Sequence, residues 1–153
     1  MGIRKITVAA IALLAGTAFA AAAAQHATKD EVVSMVNKAV AAIKAEGVDK
    51  AYAEISTKGG KFSHLDLYVV VYGLDGKVLA HGANQKLIGK QMIDAQDVDG
   101  VYFVKDRVKL AREKGTFWQD YKFVNPVSKK IAPKEMYCER VNETAVCAGV
   151  YKS

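Results

Sequence analysis

The chain has 153 residues, of which 51% are hydrophobic and 25% charged, as expected for one ordinary folded domain rather than a disordered segment. Its 22 basic and 16 acidic residues give a net charge of +6, but no basic run is longer than two residues, as at Lys129-Lys130. Scattered lysines indicate a solvated surface, so a nucleic-acid partner is not expected.

The N-terminal segment, residues 1–24, has the three parts of an export signal. Arg4 and Lys5 precede an apolar run at residues 6–14, and small residues follow it. The A-x-A patterns at 18–20 and 22–24 predict cleavage near residues 20–24 and a periplasmic or secreted protein. An uncleaved N-terminal anchor is the alternative. We expect residues 25–153 to form a single domain with no transmembrane helix, since no other stretch approaches ~20 apolar residues.

Residues 28–46 are expected to form the first helix. Thr28 and Glu31 have the spacing of a capping box, in which each side chain accepts a hydrogen bond from a free backbone N–H. Apolar residues recur at helical spacing, at Val32, Met35, Val36, Ala39, Val40 and Ile43. Gly47 is expected to end this helix, and a shorter helix is expected over residues 49–56.

Residues 65–83, LDLYVVVYGLDGKVLAHGA, predict two strands joined by a type I′ turn at Asp75-Gly76, with positive φ at both residues. The resulting register pairs Tyr72 with Leu79, Val70 with His81 and Tyr68 with Ala83. One face would then carry two phenols and an imidazole, and consists of Tyr68, Val70, Tyr72, Leu79 and His81. The opposite face would be wholly apolar, with Val69, Val71, Val78 and Ala80.

The next part of the chain predicts a loop, a helix and a strand. Residues 84–100 form a long polar connection, of a length often found in functional lids. Asp97 or Asp99 is expected to cap a helix over residues 101–114, whose apolar stripe comprises Val101, Val104, Val108 and Ala111. In a strand over residues 116–124, Phe117, Gln119, Tyr121 and Phe123 would point one way and Trp118, Asp120 and Lys122 the other.

Residues 134–141 and 144–151 predict a hairpin that closes at Asn142-Glu143. A symmetric turn places Cys138 opposite Cys147 at a non-hydrogen-bonded position, where Cα atoms lie about 4.5 Å apart. Since exported proteins meet an oxidising compartment, we expect a Cys138–Cys147 disulfide. A catalytic thiol or a metal site is the alternative, but a metal would need more ligands. No metal or other cofactor is therefore expected. The same register places Lys134 opposite Tyr151.

These elements predict an α+β fold with a five-stranded antiparallel sheet and a long N-terminal helix. Several segments, in order, resemble the single-Cache sensor domains of subtype 2: LDLYVVVYGLDGKVLAHGANQKLIGK, DVDGVYF, GTFWQDYKFVNP, the lysine of APKEMY, and AGVY. The resemblance covers roughly residues 30–152. It implies a PAS-like sheet behind a long helix, with a pocket between sheet and loops. It also implies extracytoplasmic sensing of small solutes, often short carboxylates or amino acids.

Members of this family usually lie between two membrane helices and drive a kinase, chemoreceptor or cyclase. This sequence stops at Ser153 without a second hydrophobic segment or an output domain. We therefore expect a standalone secreted form that binds a small molecule such as a carboxylate and hands it to a membrane receptor or kinase partner.

Five side chains are first candidates for contact with a ligand. His81 and Tyr68 share a face of the predicted hairpin, and Lys134 offers a positive charge to a carboxylate. Tyr121 and Trp118 offer aromatic walls that carry a polar group.

The resemblance adds Asn125 and Tyr137 to these candidates. Because side chains alternate between the two faces of a regular strand, Tyr121 and Trp118 point to opposite faces, and so do Lys134 and Tyr137. One member of each pair is therefore expected in the core unless a bulge intervenes.

The sequence favours an exported binding protein for a small organic acid or amino acid. A non-catalytic accessory subunit of a membrane receptor or redox complex is the main alternative. A small exported enzyme is disfavoured, because no G-x-S-x-G or H-E-x-x-H motif is present, although Asp66, Asp120 and His81 offer acid–base groups.

Overall fold

The structure, a computed structural model, describes residues 26–152, so the predicted export signal lies outside the described residues. Its helices are α1 (Lys29–Glu46), α2 (Val48–Ile55) and α3 (Phe103–Lys114), with a short 3-10 helix at Gln85–Leu87. None of the helices in this part of the chain is long and apolar enough to cross a membrane.

The capping box predicted for α1 is confirmed. The Thr28 hydroxyl accepts a hydrogen bond from the Glu31 backbone N–H at 3.3 Å, and the Glu31 carboxylate accepts one from the Thr28 N–H at 2.7 Å. Gly47 follows the helix with φ at 86°, a value that glycine adopts without strain. The chain can therefore turn directly from α1 into α2.

The strands are β1 (Ser63–His64), β2 (Leu67–Gly73), β3 (Val78–His81), β4 (Thr116–Val124), β5 (Ile131–Val141) and β6 (Thr144–Tyr151). They form one antiparallel sheet in the order β1-β2-β6-β5-β4, and β3 also pairs with β2. The α+β class and the antiparallel sheet are confirmed, with the two-residue β1 as an addition to the five predicted strands.

The sheet separates two apolar clusters. On one face, α1 and α2 pack against Val69, Val71, Val146 and Ala148. On the other face, α3 packs against residues from β2, β4, β5 and β6, including Tyr72, Tyr121, Met136 and the disulfide. The second face, called here the α3 face, also carries the buried polar residues that form the candidate site.

The predicted type I′ turn between β2 and β3 is wrong. Gly76 has a φ of 90°, but Asp75 does not have positive φ. The backbone N–H of Gly73 donates to the Lys77 carbonyl, and the N–H of Gly76 donates to the Gly73 carbonyl. The loop therefore has three residues, as in a type I turn followed by a glycine bulge.

This turn changes the register near the loop. Val70 still pairs with His81 as predicted, but Tyr72 pairs with Val78 rather than Leu79, because the ladder shifts between Val71 and Tyr72. Val78 consequently packs on the α3 face and Leu79 against the α1 cluster, the reverse of the expectation. The predicted pairing of Tyr68 with Ala83 is not part of the ladder.

The predicted cap of α3 is also wrong. The helix begins at Phe103, after Tyr102, and no side chain caps it. Asp97 instead accepts hydrogen bonds from the backbone N–H groups of Asp99, Val101 and Lys122. The three contacts tie the long loop to β4, and they lower the pKa of the Asp97 carboxyl, with the Lys122 N–H contributing most.

The β5–β6 hairpin follows the predicted register from Lys134–Tyr151 to Val141–Thr144. Cys138 and Cys147 lie opposite each other with Cα atoms 4.1 Å apart, and the expected disulfide joins them. The alternation predicted for β4 also holds, since Phe117 and Tyr121 lie in the α3-face cluster while Trp118 packs against the α1 cluster.

Candidate functional site

Lys134 lies at the centre of the α3 face and is fully buried. Tyr121 on β4 and Tyr151 on β6 are its pairing neighbours across the sheet. Its Nζ lies 3.9 Å from the centroid of the Tyr68 ring and 4.7 Å from that of Tyr151. Within residues 26–152 this amine has no hydrogen-bond acceptor, which is unusual for a buried polar group.

Gly149 on β6 makes room for this lysine. An added Cβ there would lie 2.7 Å from Lys134 Cε and 2.9 Å from the Glu135 backbone oxygen. The glycine therefore lets the aliphatic part of Lys134 pass close to β6, and this helps to position the Lys134 amine.

Arg107 on α3 is a second fully buried cation on the same face. Its Nε donates to Gln119 Oε1 at 3.1 Å, and Gln119 Nε2 donates to the Phe103 carbonyl at 2.8 Å. The guanidinium carbon lies 4.8 Å from the ring centroid of Tyr72 and 4.9 Å from that of Tyr121. Neither Nη1 nor Nη2 has an acceptor among the described residues.

The two cations influence each other. Burial, followed by the positive charge of Arg107, holds the pKa of the Lys134 amine well below its ordinary value, while Asp66 partly opposes this effect. Two buried cations with free donors in an aromatic enclosure form a strong anion-binding arrangement, because an anion would satisfy the donors and cancel the repulsion.

His81 on β3 lies close to Lys134. Its Nδ1 accepts hydrogen bonds from the backbone N–H groups of Ala83 at 3.2 Å and Asn84 at 3.0 Å, so the proton of the neutral ring is on Nε2. Burial and then the charge of Lys134 lower the pKa of His81 to about 4. The imidazole is therefore neutral at pH 7 and offers an Nε2–H donor.

Two phenols connect His81 to the lysine. The Tyr68 ring stacks on His81 with centroids 4.9 Å apart. The Tyr151 hydroxyl donates to the Val124 carbonyl at 2.7 Å, which leaves the Tyr68 hydroxyl to donate to Tyr151 at 3.3 Å. Burial is the main reason that the pKa values of both phenols are raised, so both stay protonated.

A surface cleft of about 390 Å³ borders this cluster at Tyr68 and His81. Its walls are Tyr68, His81, Ala83, Asn84, Lys86, Phe123, Val124, Pro126 and Lys129. Tyr68 thus has one side in the cleft and its ring against the Lys134 amine. Lys86 and Lys129 at the cleft add positive charge along the approach, which favours entry of an anion.

The sequence profile of the family described as single Cache domain 2 matches residues 10–151. The chain belongs to this family. No curated protein matches it.

Solved structures similar to this Cache domain share its fold. One is a methyl-accepting chemotaxis protein from Vibrio parahaemolyticus, with 22% identity and a TM-score of 0.68 over 80% of this chain and 87% of that one. Another is a Cache chemosensory domain described for its recognition of carboxylic acids, with 21% identity and a TM-score of 0.68 over 81% and 92%. A third is the periplasmic sensor domain of a chemotaxis protein, with 21% identity and a TM-score of 0.61 over 81% and 90%.

The Cache domain brings four of the seven predicted site residues together. His81, Tyr68, Lys134 and Tyr121 all lie on the α3 face, where the Tyr121 hydroxyl donates to Met136 Sδ at 3.8 Å.

Trp118 and Tyr137 lie on the opposite face. They pair across β4 and β5 with ring centroids 5.2 Å apart, and they pack against the α1 cluster. Lys29 Nζ lies over the Trp118 ring at 5.1 Å. No bulge reverses the alternation in β4 or β5, so the strand pleat separates them from Tyr121 and Lys134.

Asn125 is buried but already uses its side chain within the protein. Its Oδ1 accepts from the N–H groups of Val127 and Ser128, and its Nδ2 donates to Asp66 Oδ2 at 3.2 Å. The residue shapes the turn after β4, which forms part of the cleft wall.

The sequence interpretation missed Arg107, Gln119 and Asp66 as parts of the site. Arg107 follows Val104 by three residues and precedes Ala111 by four, so it lies within the apolar stripe of α3. A charged residue within such a stripe is a signal that could have identified it.

Proposed function

We propose that residues 25–153 form an exported Cache domain that binds a small organic acid or an amino acid in the periplasm or outside the cell. The observation that carries this proposal is the pair of buried cations, Arg107 and Lys134, whose Nη1, Nη2 and Nζ donors have no acceptor within residues 26–152. A bound carboxylate would satisfy these donors.

The chemistry of the donors favours a carboxylate over other anions of similar charge. A guanidinium presents two parallel N–H groups that match the two oxygens of a carboxylate. Tyr72, Tyr121 and Tyr68 would surround the hydrocarbon part of the ligand. An amino acid would bring an ammonium group beside two cations, so we expect simple acids to bind more tightly. The structurally similar domain that recognises carboxylic acids supports this choice.

Thermal unfolding of the purified protein tests the proposal. Acetate, glycolate, succinate and glycine would be compared at matched ionic strength, with methylammonium as a cationic control. A ligand present at a hundredfold excess over its Kd stabilises a protein by about 2.7 kcal/mol. We expect at least one acid to raise the Tm and methylammonium to leave it unchanged.

Arg107→Met and Lys134→Met link the response to the site. Each removes a donor but keeps an unbranched apolar side chain of similar length, and each should abolish the rise in Tm. Lys130→Met is the matched control, because Lys130 is exposed on the turn between β4 and β5. Acids that fail to stabilise a folded wild-type protein, or that stabilise both variants fully, would refute the proposal.

A further inference from the structure

The Lys134 amine has the surroundings of a nucleophile as well as those of a cation. It is fully buried against the ring faces of Tyr68 and Tyr151, the charges of Arg107 and Asp66 act on it, and its own charge acts on His81. No acceptor in the described chain holds a proton on it. A neighbouring cation that is itself free to bind a carboxylate could position a second functional group at the amine.

We propose that Lys134 Nζ forms a reversible imine with the carbonyl carbon of a 2-oxo acid whose carboxylate is held by Arg107. This inference rests on the proposed function, and it extends that function from binding of acids in general to covalent capture of oxo acids.

The reaction needs no oxidant or reductant. The nitrogen lone pair attacks the carbonyl carbon, and the π electrons of the C=O bond move to oxygen, which gives a carbinolamine after one proton passes from nitrogen to oxygen. The C–O bond then breaks, the oxygen leaves as water with a second proton from nitrogen, and the lone pair forms the C=N bond. Addition of water reverses every step and releases the acid.

Two features favour the attack. Burial and the charge of Arg107 lower the pKa of the amine well below its ordinary value, which raises the unprotonated fraction at neutral pH. Lysines that act as nucleophiles are typically activated by desolvation or by an adjacent cation. The faces of the Tyr68 and Tyr151 rings lie against the amine and shield it from bulk water.

Reductive trapping tests the inference. The purified protein would be incubated with glyoxylate and sodium cyanoborohydride, and carboxymethylated lysines would be located by mass spectrometry of peptides over time. We expect Lys134 to be modified at least severalfold faster than exposed Lys58 and Lys130, because Arg107 holds the carboxylate near it and the lowered pKa of the amine raises its neutral fraction. Glycolate, which has no aldehyde carbonyl and cannot form an imine, should slow modification of Lys134 alone.

Two variants define the controls. Arg107→Met should slow the modification of Lys134, because the carboxylate loses its anchor, whereas Lys130→Arg should leave it unchanged. Modification of Lys134 no faster than that of Lys58 and Lys130 would overturn the inference. If glycolate still raises the Tm in that case, the binding of acids survives and Lys134 acts only as a cation. If glycolate does not, both proposals fail.

Discussion

Arg107 and Lys134 together lower the free energy of unfolding of the unliganded protein. Burial of a guanidinium or an amine without an acceptor costs free energy whether or not the amine is protonated, and neither side chain has a hydrogen-bonded carboxylate among the described residues. The rings of Tyr68, Tyr72, Tyr121 and Tyr151 offset part of this cost.

Lys134→Met is therefore expected to raise the free energy of unfolding while it abolishes binding. A buried donor without an acceptor costs about 1–3 kcal/mol, and an apolar side chain of similar length does not carry this cost. Urea denaturation without ligand measures the change, and Lys130→Met should stay within about 0.5 kcal/mol of wild type. A less stable Lys134→Met protein would show that the lysine is compensated within the fold.

His81 makes stability depend on pH. The pKa of its imidazole is about 4 in the folded protein, against an ordinary value of 6.5. Between these values the unfolded chain binds a proton that the folded protein excludes, so this contribution to stability is complete above pH 6.5 and is lost as pH falls towards 4. The loss amounts to about 3 kcal/mol.

His81→Gln should remove this pH dependence. Urea denaturation at several pH values would give the difference in unfolding free energy between variant and wild type, in which groups common to both cancel. We expect the difference to change between pH 6.5 and 4 and to be constant above. His64→Gln is the matched control, because His64 is exposed and should follow wild type. A constant difference for His81→Gln would contradict the assignment.

The sequence was informative about single residues wherever strand alternation decided their position. Strand alternation and hairpin register predicted that Tyr68 and His81 share a face and that Lys134 lies opposite Tyr151. Alternation also indicated that Trp118 or Tyr121 must lie in the core, but it could not say which face would form the site. Arg107 was missed because a charged residue on a helix is usually exposed, even where its position falls within an apolar stripe.

At the level of elements, the β5–β6 hairpin was predictable because a symmetric two-residue turn fixes its register. The β2–β3 hairpin was predicted less well. Asp-Gly suits a two-residue I′ turn, but it also suits a three-residue loop that ends in a glycine with positive φ. Leu74 is buried, and its N–H donates to the Glu143 carbonyl of the neighbouring turn, a long-range contact that the local sequence does not contain.

The Cys138–Cys147 bond should contribute modestly to stability. It connects residues nine positions apart, and closure of so short a loop is worth about 2–3 kcal/mol. Cys138→Ala/Cys147→Ala should therefore lower the unfolding free energy in urea by about this amount and still show a cooperative transition. Reduced wild-type protein should show a comparable loss. Failure of the double variant to fold would mean that the hairpin depends on the bond for its structure.

At the scale of the whole molecule, local sequence patterns do not predict the order of the strands in the sheet. β2 pairs with β6, more than 70 residues later in the sequence, and such pairing depends on packing on both faces of the sheet. The resemblance to Cache domains implied a pocket between the sheet and loops, but alternation alone does not place α3 over one face and α1 over the other.

Asp66 joins the start of α1 to the cleft wall. Its carboxylate is fully buried, and it accepts hydrogen bonds from the Ala27 N–H at 3.2 Å and from Asn125 Nδ2 at 3.2 Å, with His26 Nδ1 at 2.5 Å. Its negative charge also acts on Lys134. The entrance of the cleft and the N-terminal helix are therefore held through one side chain.

Asp66→Ala should lower the free energy of unfolding by at least about 2 kcal/mol, because two buried N–H donors would lose their acceptor. Asp120→Ala is the control: Asp120 is exposed and pairs with Lys152 at the surface, so its loss should cost no more than about 1 kcal/mol. Equal effects of the two changes in urea denaturation would show that Asp66 does not hold these segments together.

The uncompensated cations have a consequence for how long the protein survives where it acts. A fold that lacks its counter-ion opens more often, and proteases cleave such openings in proportion to their population. Molecules that have captured an acid should resist degradation longer than empty ones. If an acid binds as proposed, the amount of intact protein would then rise and fall with the supply of that acid, without any change in synthesis.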